Sequence, residues 1–350
     1  MNNLKNSVEN FHFKAFANSW IAINPHPKGV IQFVGSFFVF GSLPTLFYNS
    51  LLRSLYDQGY TIIAYPIAVI PPLIWKSRLV DHWQASIQLL KEEYTIKLEL
   101  IAYILEHTNG EYLDIYLDHA NYFWLGHSLG CKYISILEIL SSDPSTIRDR
   151  LEECGFKPDD FQLVEEDISI IESERIKSDR EINNLLARKE VAQNVSSRQS
   201  IIDQPSIFLA PEIYGTQDSS GATIPWFKVF PSGEQTLCLI QKSRNFFNLT
   251  SLISFEGDEI SEDDVQNLKQ ELSKRNINQP DKLLCKQFPG CNLKLKFISS
   301  LFSHLKPASN SIEPLANCID KIFQELRQRP ISNYIPQQVQ CENSNNCQDG

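Results

Sequence analysis

The stretch that decides the architecture is Tyr122-Phe-Trp-Leu-Gly126-His-Ser128-Leu-Gly130-Cys-Lys132-Tyr-Ile-Ser-Ile-Leu-Glu138. It opens on an uninterrupted apolar run of strand length, and from Lys132 onward the apolar positions recur at helical spacing, so it reads as strand, tight turn, helix. The turn carries the pattern G-x-S-x-G. Glycines two residues on either side of a serine are needed where the backbone reverses so sharply that a Cβ would strike the adjoining strand or helix. Such a turn lifts the Ser128 hydroxyl out of a sheet at the N-terminus of a helix, where the dipole and the N–H groups favour a negative oxygen. Ser128 is therefore the candidate nucleophile.

Five further apolar runs of strand length lie outward from this point: Gly29–Gly35, Tyr60–Pro66, Ser206–Pro211, Ser251–Gly257 and Leu293–Ser299. Runs that are apolar on both alternations predict strands buried on both faces, as in a parallel sheet covered by helices. Helices are expected over Pro44–Gln58, Val80–His107, Leu129–Leu140, Ser261–Arg275 and Ser311–Arg327. The fold class predicted is α/β, a mostly parallel sheet flanked by helices. Residues 20–140 and 204–330 form its core, 1–19 an N-terminal extension and 331–350 a polar, flexible tail. Between the two core segments, 141–203 carries 15 acidic and 9 basic residues and so holds −6 of the chain's net −10. That segment predicts one or two inserted, solvated helices anchored by Ile168, Ile171, Leu185 and Leu186, and it is the candidate lid.

Composition narrows the function classes. A chain of 350 residues with 42% hydrophobic and 21% charged residues is globular, and a net charge of −10 offers no general attraction to nucleic acid. The uncharged stretch Gly29–Leu52 is broken by Gly35, Gly41 and Pro44, and Tyr60–Trp75 by three prolines, so neither predicts an integral membrane span, although peripheral membrane contact stays open. The eight cysteines lack the spacing of a zinc knuckle and read as buried or incidental thiols. Residues 1–16 lack the apolar core of a signal peptide, which makes a cytoplasmic setting the expectation. Neither a metal nor any other cofactor is called for by a motif.

A serine turn of this kind is completed by an acid and then a histidine further along the chain. Asp258 stands just past the apolar run Ser251–Phe255 and is the expected acid, with Glu256, Glu259, Asp263 and Asp264 as rivals. Asp263 and Asp264 are explained as first-turn residues of the helix after Ser261. Of seven histidines, His304 alone lies between the last expected strand and the last expected helix, and it is the expected base. The oxyanion would be held by the N–H of Leu129 together with that of Ser36 or Phe37, from the loop after Gly29–Gly35. Phe37, Phe38 and Phe40 in that loop suggest a small apolar, acyl-type substrate. Asp81, ahead of the helix that begins near His82, reads as an N-cap.

The stretches Phe33-Val-Gly-Ser-Phe-Phe-Val-Phe-Gly41, Leu55-Tyr-Asp-Gln-Gly-Tyr-Thr-Ile-Ile-Ala-Tyr-Pro66, Asp81-His82, Gly126–Lys132 and Asn248-Leu-Thr-Ser-Leu-Ile-Ser-Phe255 resemble the DUF1350 proteins of cyanobacteria and plastids, from about Trp20 to Leu326. That family is a branch of the α/β-hydrolase superfamily without an assigned reaction. The resemblance implies an α/β-hydrolase fold and a cyanobacterial or plastid-type source, while the reaction rests on the residues. They point to a serine hydrolase of an ester or thioester. An acyltransferase, or a catalytically silent binding protein linked to photosynthesis, is the alternative.

Overall fold

In the computed structural model, which describes residues 11–36, 41–67, 79–108, 110–141, 144–192, 201, 204–213, 228–243, 247–258, 261–273, 284–288 and 312–329, the apolar runs become the inner strands of one sheet. These are β3 (Gly29–Val34), β4 (Tyr60–Tyr65), β6 (Tyr122–His127), β7 (Ser206–Leu209) and β9 (Thr250–Phe255), mutually parallel and almost wholly buried. The period of two sorts their side chains between two cores. Ile31, Phe33, Ile62, Ala64, Phe123 and Leu125 face α2 (Asn49–Asp57), which follows the short α1 (Pro44–Phe47), and α10 (Ile312–Arg327). Val30, Val34, Ile63, Tyr65, Trp124 and Phe208 face α3 (His82–His107) and, after the short α4 (Leu113–Leu117), α5 (Leu129–Leu140). Gln32 is the one polar residue of β3, and it is satisfied inside the core by Gln204 and the Tyr65 hydroxyl.

At one edge, β1 (Lys14–Phe16) and β2 (Ser19–Ala22) form a hairpin whose second strand pairs antiparallel with β4. The N-terminal extension expected over 1–19 therefore contributes residues to the sheet. At the other edge stands β10 (Cys285–Phe288), parallel to β9. The strand expected over Leu293–Ser299 lies outside the described residues. An edge strand pairs on one side only, and Lys286 and Gln287 are exposed, which is why a search for continuous apolar runs passes over it. The order is β1-β2-β4-β3-β6-β7-β9-β10, in which β2 alone runs against the others among the described strands, while β5 (Leu79–Asp81) and β8 (Lys228–Phe230) pair in a separate small parallel sheet. With a G-x-S-x-G turn between the fifth strand of that chain order and its helix, this is an α/β-hydrolase fold.

The acidic insertion forms α6 (Pro144–Glu153) and α7 (Pro158–Arg188). Val164, Ile168, Ile171, Arg175, Ser178, Ile182 and Leu186 make one buried stripe along α7 at spacings of three and four, and that stripe packs on α3. Leu185, expected as an anchor, is half-buried. The buried Arg175 is paired with Glu172 and Asp179 on its own helix. One cysteine expectation is corrected: Cys154, after α6, is bonded to Cys238 in α8 (Gly233–Lys242), at 84 residues' separation. Two cysteines so far apart in sequence carry no spacing signal, because a bridge of this kind depends on tertiary contact. Cys131, Cys285 and Cys318 are free. No helix among the described residues is long and apolar enough to cross a membrane.

Candidate active site

The parallel strands deliver their C-terminal ends to one edge of the sheet, and the chain order reverses between β3 and β6, where open α/β sheets place their sites. Ser128 follows β6 at that point. Its backbone sits at φ 55°, ψ −123°, a conformation that costs a non-glycine residue about 1–3 kcal/mol. The flanking glycines meet the requirement read from the sequence. A Cβ on Gly126 would lie 2.8 Å from Ile134 Cδ1 and 3.0 Å from the Cys131 nitrogen, and one on Gly130 would lie 2.2 Å from the Val34 carbonyl oxygen. The side chain of residue 126 is thus excluded by α5, and that of residue 130 by the end of β3.

Ser128 is fully buried, and its Oγ donates to Glu212 Oε2 at 2.9 Å. Glu212 is itself 5% exposed. It reaches the serine because the chain turns left-handed at Ala210 (φ 42°) just after β7, which brings the Glu212 N–H back to the Ser128 carbonyl oxygen at 3.1 Å. The Ile213 N–H then donates to Asp264 Oδ2 at 2.6 Å, which fixes the loop from the far side. Asp264 lies in the first turn of α9 (Glu262–Ser273), as expected, and is buried there for this second purpose. Glu212 was not singled out in the sequence. Its signal, a carboxylate just past an apolar strand, is the same as that of Asp258.

Asp258 lies past β9 beyond Gly257 (φ 72°), half-buried, and its Oδ2 accepts from the Ser261 hydroxyl at 2.8 Å at the start of α9. Glu256 and Asp263 are exposed. Glu259, the candidate base His304 and the candidate oxyanion donor Phe37 lie outside the described residues. Leu129 opens α5, where backbone N–H groups have no acceptor within the helix. The Ser36 N–H donates to the Tyr48 hydroxyl at 3.1 Å, and that hydroxyl also bonds His127 Nδ1 at 2.9 Å. Burial drives the Tyr48 phenol upward, against the Ser36 hydrogen bond, so it stays neutral.

Two motif stretches far apart in the chain meet beside the serine. Asp81 caps α3 by accepting from the Gln84 N–H at 2.9 Å, as read from the sequence. The next residue, His82, is buried with Nδ1 3.1 Å from the Tyr133 hydroxyl. Desolvation, reinforced by Lys132, holds its imidazole well below the usual range. Lys132 is buried as well and donates from Nζ to the Pro231 carbonyl at 2.9 Å. Tyr133 is pushed up first by burial and then by the Glu212 charge, which places that carboxylate in the same polar cluster. The Cys131 thiol behind the serine is driven well up, chiefly by burial, and is unreactive. Among the described residues there is no group of three His, Cys, Asp or Glu side chains that could hold a metal ion.

Residues 12–144 match the family model described as "Protein of unknown function (DUF1350)". That part of the chain belongs to the DUF1350 family. The DUF1350 match takes in the sheet from β1 to β6, the serine turn and α5, and it ends at the first residue of α6. Glu212, Asp258 and the stretch Asn248–Phe255 lie beyond it. No curated protein matches the chain. Solved structures similar to it include a sugar hydrolase from Lactococcus lactis, with 12% identity over 91% of this chain and 100% of that one and a TM-score of 0.44. An esterase from Pyrobaculum calidifontis shows 10% identity over 90% and 86% of the two chains, with a TM-score of 0.41. A dienelactone hydrolase from Anabaena variabilis shows 9% identity over 90% and 96%, with a TM-score of 0.38.

Proposed function

We propose that this DUF1350 protein is a serine hydrolase of carboxylic esters or thioesters that works through an acyl-enzyme on Ser128. The observation that carries the reading is the serine itself, held at positive φ on the first turn of a helix with its Oγ on a buried carboxylate. Such strain is retained where the rest of the fold over-determines it, and it clusters at reactive positions. Oγ would attack the carbonyl carbon, and the developing oxyanion would meet the N–H of Leu129 at the positive end of α5. Since the Ser36 N–H donates to Tyr48, the second donor falls to Phe37. Chain order offers His304 as the base with Asp258 behind it. The burial of Ser128, Leu129 and Glu212 strengthens the serine's electrostatic contacts by keeping water out. The phenylalanines of the loop after β3 favour an apolar acyl group, and the reaction needs no cofactor.

Labelling with a fluorophosphonate tests the reading. Wild-type protein should label in a way that heat denaturation abolishes, and Ser128→Ala should not label. A folded wild-type protein that stays unlabelled would refute an activated serine.

A further inference from the structure

We infer that Glu212 is a catalytic carboxylate of this site and that it accepts the Ser128 proton directly. The inference rests on the hydrolase reading and gives the proton-accepting step, which chain order assigns to His304, to a carboxylate in contact with the serine. Two carboxylates follow the ends of neighbouring strands, and the geometry treats them differently. Asp258 is half-buried and holds the Ser261 hydroxyl ahead of α9. That bond serves the start of the helix. Glu212 is buried, touches the nucleophilic oxygen at 2.9 Å, and is fixed by two backbone contacts, its own N–H on the Ser128 carbonyl and the neighbouring Ile213 N–H on Asp264. A carboxylate taken out of water is costly to keep unless its partners repay it. A loop anchored at both sides of the residue is how a fold holds one group in place against another.

The chemistry closes with water as the co-reactant. As Oγ bonds to the substrate carbonyl carbon, its O–H bond breaks and Oε2–H forms, while the carbonyl π pair moves onto oxygen. Collapse of that intermediate breaks the bond to the alkoxide or thiolate, which takes the proton from Oε2. Water then attacks the acyl carbon and gives a proton to Oε2. The second collapse returns that proton to Ser128 Oγ and releases the free acid.

Fluorophosphonate labelling rates should fall about 100-fold or more in Glu212→Gln, the usual worth of a positioned proton acceptor. Asp258→Asn and His304→Ala, at the residues that chain order supplied, should each lower the rate by less than Glu212→Gln does. Equal labelling of Glu212→Gln and wild type would overturn the inference, and so would a loss in His304→Ala as large as that in Glu212→Gln. Glu212→Asp keeps the charge and should retain part of the rate, which separates loss of the base from loss of the fold. A second readout needs no reactive serine. In Ser128→Cys, adding Glu212→Gln should lower the pH midpoint of iodoacetamide alkylation by about one unit, because a neighbouring carboxylate opposes a thiolate. Adding Asp258→Asn should leave it unmoved. An unlabelled wild type with this shift present would defeat the hydrolase reading alone; no shift would defeat the Glu212 contact.

Discussion

Replacing Gly130 by alanine separates two effects that usually travel together. Alanine is the better helix former by about 1 kcal/mol, so on propensity alone the substitution inside α5 would stabilise. Here the added Cβ would stand 2.2 Å from the Val34 carbonyl oxygen and 2.7 Å from that of Gly35. Both are backbone atoms at the end of a central strand and cannot rotate away. Restoring an ordinary contact requires α5 to withdraw from β3 by about 1 Å, and overpacking of that size costs about 1–3 kcal/mol. Sterics against an immobile carbonyl should win, leaving a net loss of up to about 2 kcal/mol in urea unfolding. The same displacement carries Ser128 and the Leu129 N–H with it, and a misplacement near 1 Å costs about 100-fold in reactivity. Gly155→Ala is the comparison. That glycine has φ 71° but nothing within 4 Å of the added Cβ, so the change should cost about 1 kcal/mol through the left-handed backbone and leave labelling unchanged. Wild-type stability and wild-type labelling in Gly130→Ala would refute the close approach of α5 to β3 on which the site is built.

Two further outcomes concern the flank of the sheet under the acidic insertion. Reducing the Cys154–Cys238 bridge, or replacing both cysteines by serine, should destabilise the protein by up to about 4–5 kcal/mol for a loop of 84 residues; an unfolding midpoint unmoved by dithiothreitol would show that the bridge does not form. Burial raises the Glu93 carboxyl to about 7, with Asp179 adding to the shift and Lys97 opposing it. The folded state then keeps a proton that the unfolded chain gives up from about pH 4.5, so stability should fall by up to about 3 kcal/mol between pH 4.5 and 7 and level off above. Glu93→Gln should flatten that decline, and an identical pH dependence in the variant would show that Glu93 is not its source.

What was legible in the sequence was whatever local pattern determines. The inner strands declared themselves because burial on both faces leaves a continuous apolar run, and the serine turn because only glycine fits at 126 and 130. The capping role of Asp81 was equally local. What escaped was set by partners distant in the chain. β10 is polar because it sits at an edge, Lys14–Phe16 joins the sheet only through β2, and Cys154 meets Cys238 across the helical flank. The carboxylate on the serine belongs to the same class: Asp258 and Glu212 both follow buried strands, and the apolar run ahead of each gives the same signal.

The difference between them lies in the strain that surrounds each. His127 and Leu209 are the last paired residues of β6 and β7, and immediately beyond them both chains adopt positive φ at residues carrying a Cβ, Ser128 at 55° and Ala210 at 42°. Beyond β9, by contrast, the left-handed position falls on Gly257, where it costs almost nothing. A fold free to place glycine at a left-handed turn relieves the strain there, and at residue 210 this one has not. The two strained turns face each other and are locked by the Glu212 N–H on the Ser128 carbonyl, so the conformation of either depends on the other. Ala210→Gly should therefore loosen the Ser128–Glu212 contact without removing an atom from it. Slower fluorophosphonate labelling at unchanged or higher stability would show that the strain positions the pair, whereas wild-type labelling would show that the contact holds without it.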